Sequence, residues 1–137
     1  MINWERPGAV NEFDPNDYRK RVLAAVQKRG GPDTSDAFEL YDLPLDDDLS
    51  DAEVLVRVEE VWGFWQRSRD HPKYRVLVAL LVETHAERSA ELLDAGRRRL
   101  AAARVHAWRE QRDSARYELL DSAISRLVAR QIGRAHV

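Results

Sequence analysis

The break Asp70-His71-Pro72-Lys73, set between two long amphipathic stretches, constrains this chain more than any other feature. Proline lacks the N–H that would continue a helix, and it pushes the residue before it towards extended geometry. A helix arriving from the N-terminal side therefore has to stop near Asp70. Its start is marked as well. Ser50 followed three positions later by Glu53 is a capping-box pattern, in which hydroxyl and carboxylate each take one of the backbone N–H groups that a helix start leaves unpaired. In between, Val54, Leu55, Val58, Val61, Trp62 and Trp65 recur at three- and four-residue steps and form an apolar stripe, with Glu53, Arg57, Glu60 and Arg67 off it. Both tryptophans are therefore read as core. Gly63 costs about 1 kcal/mol against alanine inside a helix, which predicts that another backbone passes close to it.

After the proline, Tyr74, Leu77, Val78, Leu81, His85, Arg88 and Leu92 trace a second stripe. Val76, Leu80 and Leu93 widen it enough to predict burial on more than one side, and His85 reads as a hydrogen-bonded core histidine. Two helices joined by so short a break pack antiparallel. Upstream, Asp14-Pro15-Asn16-Asp17 is a helix start, with a capping aspartate and a proline whose missing N–H is harmless in the first turn. Tyr18, Val22, Leu23 and Val26 supply that helix's apolar face, Gly30-Gly31-Pro32 ends it, and Trp4 and Phe13 are the large anchors available to the segment before it. A short helix is predicted over 37–41. Downstream, Asp94 caps and Gly96 opens a long helix without proline, running to about Gln131. Its early part offers Leu100, Val105 and Trp108, and its late part Leu119, Leu120, Ile124, Leu127 and Val128. Residues 109–118 between them are almost wholly polar, as in a helix that crosses solvent or meets a partner.

The run Phe38-Glu39-Leu40-Tyr41-Asp42-Leu43-Pro44 resembles the short first helix and proline loop of J-domains, the Hsp70-stimulating modules of DnaJ-type co-chaperones. The helix from Asp51 resembles their second helix, and His71-Pro72 sits where their His-Pro-Asp motif sits. Leu92-Leu93-Asp94-Ala95-Gly96-Arg97-Arg98-Arg99 is similar to the end of their third helix and the basic start of their fourth. The resemblance covers about residues 36–100. It implies an all-α, J-domain-like antiparallel hairpin, here with an extra N-terminal helix and arm (1–35) and an extended C-terminal helix (101–131). It also implies no cofactor and an Hsp70-type partner, met by Asp70, His71, Pro72, Lys73 and Arg75 of the loop together with Arg57, Arg67 and Arg69, read as outward-facing. Two departures bear on activity. The motif's aspartate is Lys73 here, a charge reversal at the position the family needs to trigger Hsp70, and the helix before the loop is longer by about one turn, roughly 5 Å of rise. The implied function is a non-enzymatic adaptor whose ATPase stimulation is impaired or lost. The alternative is a structural spacer whose long helix positions downstream domains or self-associates as a coiled coil.

The chain is also similar, more distantly, to helical N-terminal regions of large multidomain proteins of high-GC Gram-positive bacteria. Three lysines against nineteen arginines fit that codon bias. The final residues 132–137, IGRAHV, match in one reading frame the translation of a widely used sequencing-library adapter. They are read as a scar, with the natural chain expected to continue past Gln131.

A formal charge of −2 argues against a dedicated polyanion binder. Residues 86–137 are locally basic, with 11 arginines to 7 acids. Glu110, Asp113 and Glu118 nevertheless lie among Arg109, Arg112 and Arg116 at helical pairing distances, the pattern of a self-neutralising face rather than of a nucleic-acid surface. The absence of cysteine excludes disulfide and thiolate chemistry and fits a reducing, cytoplasmic setting. The N-terminus lacks a signal-peptide layout, and no apolar run approaches the ~20 residues that span a bilayer. The aspartates of 42–51 lack the spacing of a calcium loop, and the four histidines form no metal-binding pair. With no phosphate loop, no nucleophile elbow and no pocket for Glu59 and Glu60, the chain is read as a non-enzyme without a metal.

Overall fold

The computed structural model describes residues 10–45 and 49–135, with side chains as far as residue 130. Trp4 and the aspartates at 46–48 lie outside the described residues. Five helices and no strand are found among those described. The chain divides into two units, Met1–Ala102 and Ala103–Val137.

Helix α1 covers 15–29. The Asp14 carboxylate accepts the backbone N–H groups of Asn16 and Asp17 at 3.0 and 3.3 Å, as the capping sequence requires. The helix then passes through a π-helical stretch, Arg19–Leu23, before resuming as Ala24–Arg29. Tyr18, Val22, Leu23 and Val26 are all buried. Its end is built on two glycines. Gly30 and Gly31 have φ of +112° and +129°, and their N–H groups reach back to the carbonyls of Gln27 and Val26 at 3.2 and 3.0 Å.

A 3₁₀ turn, Pro32–Thr34, leads to the short α2, Ala37–Leu40, capped by Asp36. Helix α3 is Asp51–Arg67, and both halves of its capping box are formed: Glu53 N–H donates to Ser50 Oγ at 3.1 Å, and Ser50 N–H donates to Glu53 Oε1 at 3.2 Å. Helix α4, Arg75–Leu93, follows a connection of residues 68–74 and packs along α3, so the two run antiparallel. Helix α5, Ala95–Ala135, starts where Asp94 Oδ1 accepts the N–H of Gly96 at 3.0 Å.

The core of the first unit is aromatic at its centre. Trp65 is fully buried, and its Nε1–H donates to the Tyr18 hydroxyl at 3.0 Å, which in turn donates to the Leu40 carbonyl at 2.6 Å. This chain of bonds ties α1, α2 and α3 together without leaving a buried donor unmet. Burial pushes the Tyr18 phenol far above its ordinary pKa, so it remains a donor. Phe13 packs on Tyr18 and Phe64 at centroid distances of 5.5 and 6.2 Å, which anchors the segment before α1.

Three expectations need correction. Among the described residues no backbone approaches Gly63: a Cβ there would meet the Arg67 guanidinium, at 3.1 Å, a contact a flexible side chain can relieve. Helix α4 is buried on one side rather than several, since Val76 is 70% exposed and Leu80 and Leu93 also face outward. Leu55 likewise lies off the buried face of α3. On α3 and α4 periodicity identified apolar residues correctly but could not say how many neighbours the helix has, and the propensity cost of Gly63 did not signal a close contact.

Candidate interaction surface at the hairpin loop

The connection 68–74 is an ordered turn. His71 N–H donates to the Ser68 carbonyl at 3.1 Å, and the His71 carbonyl accepts from Tyr74 and Arg75 at 3.2 and 2.9 Å. The imidazole takes part as well. Its Nδ1 accepts the Lys73 N–H at 3.1 Å, so that nitrogen carries no proton and only Nε2 is left for an outside group. From α1, Gln27 Nε2 donates to the Lys73 carbonyl at 3.1 Å, fastening the loop to the first helix. The ammonium of Lys73 lies 5.5 Å from the centroid of Tyr74, whose ring is buried beneath the loop.

Of the eight residues assigned to a contact surface from sequence, six are exposed: Arg67, Arg69, Asp70, Pro72, Lys73 and Arg75. His71 is half-buried. Arg57 is displaced from the set altogether, being only 3% exposed. Its guanidinium donates to the Asp42 and Asn11 carbonyls, lies 3.2 Å from the Asp42 carboxylate and sits over the Phe13 ring. Position 57 falls beside the apolar stripe of α3, and the segments before α1 and after α2 close over that flank. An arginine there fastens two loops to a helix instead of facing a partner.

Asp42 is the residue that sequence reasoning missed. Its φ of +53° is left-handed, a region that aspartate tolerates better than most residues, and it is held from two sides by Arg57 and by Arg21 at 2.8 Å. A turn aspartate two residues before a proline was the available signal. Arg98 plays a similar part at the other end. Buried, it donates to the carbonyls of Leu92 and Leu49 at 2.8 and 3.2 Å and pairs with Asp51 at 2.9 Å, locking the α4–α5 junction onto the start of α3.

A second cluster surrounds His85. Its ring stacks on Trp62 at 4.0 Å, and its Nδ1 is hydrogen-bonded to the Tyr41 hydroxyl at 2.8 Å. Burial lowers the imidazole pKa and raises that of the Tyr41 phenol, so both stay neutral.

Two concavities accompany these features. One, of about 410 Å³, is lined by charged groups that already face each other: Arg21 with Asp17 and Asp42, and Arg57 with Asp42. The other, of about 370 Å³, lies beside the hairpin loop between Gln27, Gly30, Gly31, Lys73, Val76, Leu77 and Leu80. Among the described residues no group of three histidines or carboxylates is placed to hold a metal ion, and no helix is long and apolar enough to cross a membrane. No protein-family model matches this chain, and no curated protein or solved structure matches it.

Proposed function

We propose that the first unit is a non-enzymatic interaction module, a J-domain-like adaptor that meets an Hsp70-type chaperone in the cytoplasm through its hairpin loop, with impaired or absent ATPase stimulation. The observation that carries this reading is the loop itself. Asp70, Pro72, Lys73 and Arg75 are displayed on a turn whose backbone is held by His71 from within and by Gln27 from α1. A fixed, charged corner loses little conformational entropy when a partner closes on it. The order short helix, long helix, His-Pro corner, long helix, basic helix supports the same reading, as the J-domain resemblance implies. The contact surface is then Arg67, Arg69, Asp70, His71, Pro72, Lys73 and Arg75, without Arg57. Lys73 places positive charge where the family carries a carboxylate, which is why binding and triggering are expected to separate.

Single-turnover ATP hydrolysis by an Hsp70, with an active J-domain as competitor, tests this. The chain is expected to compete with the active J-domain while giving little acceleration of its own. Lys73→Asp should raise the acceleration, and His71→Gln should abolish both effects. Lack of competition at any concentration rules the adaptor out. The second reading, a helical spacer, is favoured by one observation: residues 110–130 of α5 are exposed without interruption. A spacer leaves ATP turnover untouched, and truncation after Leu100 changes its oligomeric state.

A further inference from the structure

Within Ala103–Val137, helix α5 carries an apolar face with no cover among the described residues. Tyr117, Leu120, Ile124 and Leu127 follow one another at steps of three, four and three, the heptad spacing, and are 78%, 62%, 58% and 59% exposed. With Val128 they span an arc of about 100° of the helix surface, the width of a face built to be buried. We propose that this face is the seam of a parallel two-stranded coiled coil with a second copy of this chain.

Three features select that occupant. Tyr117 and Ile124 take the a positions and Leu120 and Leu127 the d positions, and a β-branched residue at a with leucine at d favours two strands over three or four. The charges flanking the seam are asymmetric: Arg116 and Arg130 stand at g on one edge and Asp121 at e on the other. In a parallel pair, g of one helix meets e of the next heptad on its partner, so Arg116 faces Asp121 of the second copy, twice by symmetry. An antiparallel pair keeping Tyr117 opposite Leu127 and Leu120 opposite Ile124 would instead bring Asp121 against Asp121 and Arg116 against Arg130. Like charges on both edges oppose it. The inference does not depend on the Hsp70 reading, because it uses no residue of the hairpin, and either can fail without the other.

Two heptads are fewer than the three to four of an extended coiled coil. The dimer is therefore weak and forms as concentration rises from the micromolar towards the millimolar range. Sedimentation equilibrium of the full chain over that range should show a monomer–dimer equilibrium. Leu120→Asp should weaken it by roughly tenfold or more, since losing the burial of one leucine pair exceeds a factor of ten in affinity. Arg116→Asp should weaken it too, and Arg116→Asp with Asp121→Arg should restore it. Because the chain lacks cysteine, Leu120→Cys supplies a clean readout of direction, and oxidation should give a disulfide-linked dimer through the symmetric d position. At concentrations where the chain is monomeric, far-UV circular dichroism should be unchanged in each variant, as these side chains then face solvent. A monomer at all concentrations overturns the proposal, whether or not another protein is found on the face. Tighter association of Arg116→Asp, or failure of the Leu120→Cys chain to cross-link, overturns the parallel arrangement.

Discussion

The two units treat similar side chains in opposite ways. In Met1–Ala102, Trp65, Leu81 and Leu92 are sealed from solvent, and Arg57 and Arg98 are buried with them, each donating to at least two backbone carbonyls. In Ala103–Val137, Leu119, Leu120 and Leu127 are exposed, and Arg112 lies on the face of Trp108 at 5.2 Å in place of any loop. Composition does not separate the two regions, since leucine and arginine are plentiful in both. What separates them is whether other segments of the chain return to cover a helix. Short elements and turns around α3 supply carbonyls and apolar cover, whereas local hydrogen bonding within one helix can supply neither.

The largest expected effect contrasts a core residue with a seam residue. Trp65→Ala should cost about 3–5 kcal/mol, the range for emptying a large buried aromatic site, with the Tyr18 hydroxyl losing its donor as well. Leu120→Ala, measured at a concentration where the chain is monomeric, should stay within about 0.5 kcal/mol. Urea denaturation of both variants makes the comparison, and equal losses would break it.

Next in size is the contrast between arginines. Arg57→Ala should cost about 2–4 kcal/mol, because it leaves the part-buried Asp42 and Asn11 carbonyls without this donor and the Asp42 carboxylate with Arg21 alone. Arg57→Lys should recover only part, since an ammonium cannot fork to Asp42 and Asn11 together. Arg67→Ala on the outward side should change stability by about 0.5 kcal/mol or less. A smaller loss, about 1–2 kcal/mol, is expected for Gly30→Ala, where φ is positive, although space for the methyl group is open. Gly96→Ala, in the first turn of α5 where a Cβ would make only an ordinary contact with Asp94 at 3.5 Å, should by contrast leave stability unchanged or raise it by up to about 1 kcal/mol.

The smallest effect is a pH slope. Burial holds the folded-state pKa of His85 below its ordinary value, so the unfolded chain takes up the proton more readily. The stability linked to neutral His85 is therefore complete above about pH 6.5 and is lost as pH falls below it. Urea midpoints between pH 8 and pH 5 should decline, and His85→Gln should flatten part of that decline. An unchanged slope would show that the Tyr41–His85–Trp62 cluster does not sense pH.

Much of the local structure is legible in single residues. Asp14, Ser50 with Glu53, and Asp94 mark helix starts because caps act within four residues, and Gly30, Gly31 and Pro72 mark ends because their backbone limits are intrinsic. Those signals determined the all-α class and the boundaries of α1, α3, α4 and α5 to within a few positions. Periodicity then picked Val54, Val58, Val61, Trp65, Leu77 and Leu81 as core.

Tertiary packing decided the rest. It withdrew Arg57 from the candidate surface, put Asp42 into left-handed geometry between two arginines, and left Val76 and Leu80 outside. A helical stripe records which side of a helix is apolar, but whether that side, or its charged flank, is covered depends on segments tens of residues away. Asn11 and Asp42, which hold Arg57, lie 46 and 15 positions from it, well beyond the reach of any local pattern.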